Sequence, residues 1–196
     1  MIKFLFDRIA AFFGLVLLLP VFLILSLWVA FDSKGGVFYR QERVGKDGKV
    51  FKLLKFRTMR PLSDKQGKLT IGSRDPRVTK AGFFLRKYKI DELPQLWNVL
   101  VSDMSLVGPR PEVSEYVALY NSEQRQVLKV RPGITDEASL IYFNENEILR
   151  QSENPERTYR EEVMPEKIRI NLAYLKKRSF LTDLGVIFRT IGRIFS

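Results

Sequence analysis

The stretch FLRKYKIDELPQLWNVLVSDMSLVGPRP, residues 84–111, contains the adjacent carboxylates Asp91 and Glu92 on which our interpretation of the chain depends. Asp is a preferred N-cap, Pro94 is tolerated in a first turn, and apolar residues then recur at helical spacing. The stretch therefore predicts a helix that begins at this pair. A helix N-terminus favours an ionised carboxylate. Because neighbouring helical side chains diverge, both carboxylates can face one point only where the backbone is non-helical, and an N-cap supplies that break.

Basic residues surround the acidic pair, with Arg86 and Lys89 before it and Arg110 after it. Such a frame suits a divalent cation together with phosphate. Pro109 and Pro111 fix the backbone on both sides of Arg110, which holds its guanidinium ready to grip a phosphate. The spacing alone leaves a second interpretation open, in which the pair caps a helix and all these charges are solvated.

The composition indicates an anionic partner and restricts the chemistry. The 196 residues, enough for one domain, include 33 Lys and Arg against 22 Asp and Glu, a net charge of +11. This favours nucleic acid, an acidic membrane surface or a phosphorylated substrate as partner. The chain has no Cys and no His. Disulfides, a thiolate nucleophile and a Ser-His-Asp triad are thereby excluded, which leaves carboxylates, Lys, Arg or a bound metal.

Charge is distributed unevenly along the chain. Residues 1–60 contain 11 basic and 4 acidic side chains, and residues 167–196 contain 7 basic and 1 acidic. Residues 144–166, by contrast, contain 3 basic and 7 acidic side chains. This distribution fits a protein that presents both basic ends to an anionic bilayer and its acidic segment to water.

Residues 9–31 form a run of 23 residues without a charge. A straight helix of that length would measure about 35 Å, enough to cross a hydrocarbon core of about 30 Å. Pro20 removes one helical hydrogen bond and predicts a kink near the middle. Basic residues flank both ends, so the positive-inside rule favours a re-entrant helix that bends at Pro20 and returns. A kinked spanning helix is the alternative.

The rest of the chain alternates between short strands and helices. Residues 37–59 predict a β-hairpin around Asp47-Gly48, residues 61–76 a surface loop, and residues 78–89 a short amphipathic helix. Residues 112–130 also predict a helix. A solvated two-stranded ribbon without a binding role is the alternative for the hairpin.

The C-terminal segment predicts a basic amphipathic helix. Leu184, Ile187, Phe188 and Ile191 recur at three- and four-residue intervals beside Arg189 and Arg193. This pattern is typical of a helix that lies in the membrane interface. The alternative is a helix packed on the protein core.

Several short segments resemble, in order and spacing, the bacterial sugar transferases known as monotopic phosphoglycosyl transferases, which initiate surface-glycan assembly. These segments are KFRTM (55–59), DPR (75–77), Arg86, DELPQLWNVL (91–100), DMSLVGPRP (103–111) and RPGIT (131–135). The resemblance covers nearly the whole chain.

The resemblance implies transfer of a sugar phosphate from a UDP-sugar to a polyprenyl phosphate, expected to be undecaprenyl phosphate, with release of UMP. Asp91 would be the nucleophile that forms a covalent sugar-phosphate intermediate. Glu92 would assist metal binding or proton handling. Mg²⁺ would bind Asp91 and Glu92 and neutralise the diphosphate. The predicted phosphate contacts are Lys55, Arg57, Arg86 and Arg110.

The expected fold class is α+β and mostly α, with a re-entrant N-terminal membrane helix, interfacial amphipathic helices and a small hairpin. Residues 1–35 would form the membrane helix with its flanks, and residues 36–196 the catalytic domain with the C-terminal interfacial helix. The resemblance implies a monotopic protein of the bacterial cytoplasmic membrane with this domain on the cytoplasmic face. Expected partners are the UDP-sugar, the polyprenyl phosphate, the lipid bilayer and downstream glycosyltransferases.

The chain departs from the family pattern at three places. Leu19-Pro20 stands where the family typically has Ser-Pro, and Asn171 stands where it often has Asp. Residues 136–142 replace a Gly-Trp-Ala-Gln-type segment that many members carry. We expect this last region to contact the sugar or the nucleotide, so the sequence does not identify the donor sugar.

Two other classes of function remain open from the sequence. The net charge also fits a membrane-tethered nucleic-acid binder, although neither aromatic-basic interleaving nor a helix-turn-helix pattern occurs, and we expect no nucleic-acid partner. A non-catalytic membrane adaptor of the same family is the second. The intact Asp91, Glu92 and Arg110 argue against it.

Overall fold

The computed structural model describes residues 2–61, 63 and 75–195, and most of the predicted loop 61–76 lies outside them. The described chain is mostly helical, as predicted, with two small two-stranded sheets. The helices are α1 Ile2–Leu17, α2 Leu19–Asp32, α3 Lys80–Lys87, α4 Gln95–Leu100, α5 Ser114–Val117, α6 Glu137–Ile141, α7 Glu145–Gln151, α8 Pro155–Thr158, α9 Met164–Lys177 and α10 Phe180–Phe195. The strands are β1 Phe38–Val44, β2 Val50–Phe56, β3 Ser105–Val107 and β4 Gly133–Thr135.

The predicted kink in the N-terminal apolar run is confirmed. Helices α1 and α2 meet at an angle of 63°. The break falls at Leu18, and Pro20 lies in the first turn of α2, where its missing N–H costs no helical hydrogen bond. Among the described helices none is by itself long and apolar enough to cross a membrane, whereas this bent pair is, by length and composition.

Only a narrow stripe of the bent pair is buried. Ala11, Leu25 and Val29 pack against the rest of the chain. The large apolar side chains on the remaining surface are exposed: Ile2, Phe4, Leu5, Ile9, Phe12, Phe13, Val16, Leu17, Leu19, Val21, Leu23, Ile24, Leu27, Trp28 and Phe31.

Both ends of the bent pair are bound to the same globular part of the chain. At the start of α1, Lys3 forms an ion pair with Asp183 of α10. At the end of α2, the Asp32 carboxylate accepts a hydrogen bond of 2.9 Å from the Ala81 N–H, at the start of α3. Ala11, near the middle of the pair, also packs on this part, against Leu53 and Val99. The bent pair is therefore held against the globular part along much of its length.

The predicted hairpin is confirmed. Strands β1 and β2 pair antiparallel, with Val44 opposite Val50 and Phe38 opposite Phe56. Asp47 and Gly48 adopt φ of 56° and 77° in the turn, a conformation that Asn, Asp and Gly tolerate best. Phe56 is buried against α2 and α3, which joins the hairpin to the N-terminal pair.

The prediction that Asp91 caps a helix is wrong. Residues Ile90–Glu92 form a 3-10 turn, and α4 begins only at Gln95, with Pro94 in the N-cap position. The chain passes through this region with hydrogen bonds between residues three apart, such as that from the Leu93 N–H to the Ile90 carbonyl, 3.2 Å.

The helix predicted at 78–89 is confirmed as α3, whose N-cap Thr79 accepts a hydrogen bond from Gly82. The prediction of a helix over residues 112–130 is wrong, because only α5 and a 3-10 segment, Gln124–Lys129, form there. Asn121 separates them: its side chain accepts a hydrogen bond from the Gln124 N–H, 2.9 Å, and so starts a new turn instead of continuing α5.

The C-terminal helix forms as predicted and presents two different faces. Val186 of α10 is fully buried with Val107 and Tyr174, whereas Phe188 is 69% exposed. Before it, α8 continues into α9 through a π-helical turn, Tyr159–Val163.

A parallel pairing of β3 with β4, not predicted from the sequence, joins the two loops that follow these strands. A Cβ on Gly133 would lie 2.1 Å from the Gly108 backbone nitrogen. Only glycine therefore permits this approach.

We expect Gly133→Ala to destabilise the protein by about 1–3 kcal/mol, the usual cost of overpacking, and to lower Tm by several degrees. Gly185→Ala in α10 is the matched control, because its Cβ would meet nothing within 4 Å and alanine favours a helix. Thermal unfolding in one detergent compares them. Equal Tm values for the two variants would contradict the close approach of Gly133 to Gly108.

Candidate active site

The structure brings five of the six predicted site residues to one cavity. This cavity has a volume of about 470 Å³. The predicted residues in its lining are Lys55, Arg86, Asp91, Glu92 and Arg110. Among the described residues, six basic and four acidic side chains line it, so their charge favours an anionic ligand.

The Glu92 carboxylate is held by two cations from separate segments. Lys55 of β2 donates a hydrogen bond of 3.0 Å to Glu92 Oε1. Arg110 donates from Nη1 to Oε2 at 3.1 Å and from Nη2 to Oε1, which makes a two-point contact. These ion pairs fix the relative positions of the hairpin, the acidic turn and the loop after β3.

Asp91, by contrast, is not held by other side chains. It is buried and lines the cavity. No described residue donates a hydrogen bond to its carboxylate. The preceding Lys89 adopts a left-handed conformation, with φ of 55°, which turns the chain sharply just before the acidic pair. Backbone strain of this kind is found at functional sites.

The two adjacent carboxylates differ in acidity. Burial raises the pKa of Asp91, and the neighbouring charge of Glu92 raises it further. Burial would also raise the pKa of Glu92, but the charges of Arg110 and Lys55 outweigh it and hold that pKa well below its ordinary value. Glu92 is therefore a permanent anion, whereas Asp91 is a more basic carboxylate.

The remaining predicted cations differ in what they contact. Arg86 of α3 donates a hydrogen bond of 2.8 Å to the Thr58 hydroxyl, and burial lowers its pKa. Arg57 is not in the cavity lining. Its guanidinium donates instead to the carbonyls of Ser33, 2.6 Å, and Lys34, 2.9 Å, at the end of α2. The structure thus gives Arg57 a contact with the bent helix pair.

The two predicted structural prolines hold the Arg110 loop in place. The Pro109 carbonyl accepts a hydrogen bond of 3.1 Å from the Gly133 N–H. The Pro111 carbonyl accepts one of 3.1 Å from Arg43 Nη1. Both flanks of Arg110 are therefore bound to neighbouring segments.

Sequence reasoning missed two buried residues that position the site. Asn98 of α4 accepts from the Leu54 N–H, 3.0 Å, and donates to the Lys52 carbonyl, 2.9 Å, so it binds α4 to β2 beside Lys55. Asp136 accepts from the Arg110 N–H, 2.7 Å. An Asn six residues after the Glu, and an Asp at the N-cap of α6, were the available signals.

The segment 136–142, expected to contact the sugar or the nucleotide, does reach the cavity. Ser139, Leu140 and Tyr142 line it. Asn171, for which no role was predicted, is buried and donates to Asp136 at 3.4 Å, while its side-chain oxygen has no partner among the described residues.

The carboxylates fit a metal ion only if a ligand supplies further oxygens. The described residues contain no cluster of three or more acidic, His or Cys side chains that could hold a metal. Mg²⁺ usually takes one or two carboxylates together with substrate phosphates. Asp91 is available for such a shared site, whereas both Glu92 oxygens already accept hydrogen bonds.

We expect opposite effects on stability from neutralising the two carboxylates. Glu92→Gln removes the carboxylate that is hydrogen-bonded to both Lys55 and Arg110 and costs up to about 3 kcal/mol, the low end for a buried pair because Arg110 is 32% exposed. The pKa of Asp91 is raised because its ionised form is unfavourable in the folded protein. Asp91→Asn removes this unfavourable charge, so the Tm of the variant should exceed that of the wild type at pH 7.

The gain in Tm from Asp91→Asn should shrink as pH falls through the raised pKa of Asp91, because the wild-type group is then protonated as well. Thermal unfolding without ligands, between pH 4 and 8, measures both effects. If the two variants were equally destabilised at pH 7, the assignment of different environments would be wrong.

Comparisons with known proteins identify the family of the chain. The profile of the bacterial sugar transferase family matches residues 1–196. A Bacillus subtilis protein named, provisionally, as an undecaprenyl-phosphate N-acetylgalactosaminyl 1-phosphate transferase is 44% identical over 122 residues, which are 62% of this chain and 68% of that protein. The UDP-glucose:undecaprenyl-phosphate glucose-1-phosphate transferase of Escherichia coli is 35% identical over 96% of this chain.

The chain spans 39% of the Escherichia coli protein. The exopolysaccharide production protein ExoY of Sinorhizobium fredii is 34% identical, and the match covers 96% of this chain and 83% of ExoY. The family profile extends over the whole chain, including both carboxylates and the cations around them. The chain belongs to the bacterial sugar transferase family.

Proposed function

We propose that this protein transfers a sugar phosphate from a UDP-sugar to undecaprenyl phosphate, with release of UMP, as the first membrane step in assembly of a surface glycan. Relatives named for this type of reaction support the substrates, and ExoY is named for exopolysaccharide production. The observation that carries the proposal is the buried Asp91 carboxylate, which faces a basic cavity without a hydrogen bond from any described residue.

The reaction has two steps at one carboxylate. An Asp91 oxygen attacks the β-phosphorus of the UDP-sugar, the bond from that phosphorus to the bridging oxygen breaks, and UMP leaves. An oxygen of the acceptor phosphate then attacks the same phosphorus and displaces Asp91. No proton has to move in either step. A covalent intermediate lets a soluble donor and a lipid acceptor use one site in turn.

The surrounding charges suit this chemistry. Lys55, Arg86 and Arg110 would neutralise the diphosphate, and burial keeps the Asp91 carboxylate poorly solvated and basic. Glu92 holds no proton at neutral pH, because its pKa is well below the ordinary value. Of the two roles considered for Glu92, proton handling is therefore disfavoured, and we propose that it orients Lys55 and Arg110 and assists the metal.

We propose that Mg²⁺ binds with the donor, held by Asp91 and secondarily by Glu92. When bound, the ion would neutralise charge on the diphosphate. The donor set on the protein is small, so most ligands of the ion would come from the phosphates and water.

We also propose that the protein is monotopic in the bacterial cytoplasmic membrane, with its catalytic part on the cytoplasmic face. The exposed apolar surface of α1 and α2 supports insertion into lipid. The 63° bend and the basic residues on both flanks of the pair support a re-entrant arrangement. The exposed apolar side chains of α10 would lie in the interface.

Asp91→Asn should reduce turnover by roughly 10⁴-fold or more and abolish UMP release, because the amide is not a nucleophile. UMP release with a panel of UDP-sugars, Mg²⁺ and undecaprenyl phosphate measures this. Asp47→Asn in the exposed hairpin turn is the matched control and should be fully active. Near-normal UMP release by Asp91→Asn would refute the assigned nucleophile.

The membrane arrangement can be tested with single cysteines, since the chain has none. Ile2→Cys and Lys34→Cys should both react with an impermeant maleimide in inside-out vesicles, and neither should react in spheroplasts. Labelling of one position from each side would contradict re-entry.

Pro20→Ala in each single-cysteine protein should allow part of the population to span, so that position 2 becomes labelled in spheroplasts. Leu23→Ala, on the exposed surface of the same helix, is the control and should not change the pattern. Unchanged labelling in Pro20→Ala would show that the proline does not set the topology.

A further inference from the structure

The active-site cavity extends beyond the carboxylates to a second group of polar side chains. Glu145, Tyr159 and Lys167 all line it, and we call them the distal cluster. They come from α7, the π-helical turn and α9, in the part of the chain that follows the segment 136–142. None of them has a role in the phosphate chemistry described above.

The distal cluster is tightly connected. Lys167 Nζ donates to Glu145 Oε2 at 2.5 Å, with the two side chains 12% and 24% exposed. The same ammonium lies 5.8 Å from the centre of the Tyr159 ring. The Tyr159 hydroxyl donates to the carboxylate of Glu112, which also lines the cavity.

Stability of the fold does not explain this arrangement. A largely buried ion pair contributes little net stability, because desolvation offsets the attraction, and apolar residues of similar volume would serve as well. The neighbouring core, which includes Leu149, Val163 and Ile168, is apolar. A charged pair at the boundary between this core and the cavity therefore points to a ligand in the cavity.

The local backbone also points to a functional site. Tyr159 opens a π-helical turn, Tyr159–Val163, between two α-helical segments. Such turns are rare and occur frequently at functional sites. The extra residue in the turn changes the direction in which Tyr159 leaves the helix relative to α9.

The distal cluster adjoins the phosphate-binding cations. The pKa of Arg110 is raised chiefly by Glu92, and the charges of Asp136 and Glu145 raise it as well, so Glu145 lies within electrostatic reach of this guanidinium. In the proposed reaction Arg110 binds the β-phosphate that Asp91 attacks, and the sugar is bonded directly to this phosphate. The sugar must therefore lie in a part of the cavity next to Arg110.

The chemistry of the distal cluster suits sugar hydroxyl groups. A hydroxyl both donates and accepts, and Lys167 and Glu145 place a donor beside an acceptor. Among the described residues Lys167 donates one hydrogen bond, so two N–H groups of its ammonium remain for a ligand. The rings of Tyr116 and Tyr159, 5.0 Å apart, add an aromatic surface.

We propose that Glu145 and Lys167 bind the hydroxyl groups of the donor sugar beside the ring of Tyr159, and that this distal cluster determines which UDP-sugar the protein accepts. This inference rests on the proposed function. It gives a location for donor discrimination among relatives that are named for different sugars.

The test removes the pair without leaving an unpaired charge, in the double variant Lys167→Met/Glu145→Gln. For each of several UDP-sugars, kcat/KM is measured by UMP release, and inhibition by UMP is measured in parallel. For the preferred donor kcat/KM should fall roughly ten- to hundredfold, the effect of losing hydrogen bonds to charged groups. The poorer donors should change less than about threefold, since they gain less from these bonds.

Inhibition by UMP should stay unchanged, because UMP contains the nucleoside but no donor sugar. The matched control is Arg169→Met/Glu166→Gln, which removes an ion pair with side chains 71% and 38% exposed on the same helix. Its donor preference and UMP inhibition should equal those of the wild type.

Each of the following outcomes would overturn the inference. An equal fall for every donor would mean that the pair only supports the fold. A parallel loss of UMP inhibition would assign the distal cluster to the nucleoside instead. If the wild type released UMP from no donor, the proposed function would fail, and the inference would fail with it. If the wild type were active and the double variant kept the same ratios of kcat/KM among donors, the inference alone would be refuted.

Discussion

The geometry of the site depends on the ion pairs of Glu92 with Lys55 and Arg110. The two cations come from β2 and from the loop after β3, and they would repel each other in this buried cavity without the carboxylate between them. Glu92 therefore holds Lys55 and Arg110 together as an anion-binding surface, and these two cations neutralise its own charge. Asp91 lines the same cavity, but none of the described residues donates a hydrogen bond to its carboxylate. Two adjacent carboxylates acquire different chemistry from their surroundings, one as a fixed counter-ion and one as a basic, reactive group.

The same strand also joins the site to the bent helix pair. Lys55 lies at the end of β2 and contacts Glu92, and two residues later Arg57 binds the carbonyls at the end of α2. Asn98 fixes α4 to this strand from the other side. A change in the position of α2 would therefore reach the acidic pair through only a few residues. In the proposed membrane arrangement, this connection keeps the nucleophile at a fixed depth relative to the lipid, where the acceptor phosphate must arrive.

Features with a strong local cause were predictable from the sequence, and features that depend on distant partners were not. Asp47-Gly48 predicted the hairpin turn, because Asp and Gly tolerate positive φ, and Pro20 predicted the kink, because proline restricts the local backbone. The resemblance located the acidic pair and most of its cations. It could not distinguish Lys55 from Arg57, since only packing decides which of two nearby cations faces the cavity. The N-cap assignment of Asp91 failed because residues Ile90–Glu92 form a separate 3-10 turn and the helix begins only at Gln95. The distal cluster joins residues 22 positions apart, Glu145 and Lys167, and nothing local marks them as partners.

Formation of an acyl phosphate between Asp91 and the sugar phosphate can be measured by intact-protein mass spectrometry after acid quenching of the protein with its donor and Mg²⁺ but without acceptor. We expect a mass gain of one sugar phosphate, located on the peptide that contains Asp91 and lost when undecaprenyl phosphate is added. Formation of the lipid-linked product under conditions in which no such adduct appears at any quench time would contradict formation of this acyl phosphate.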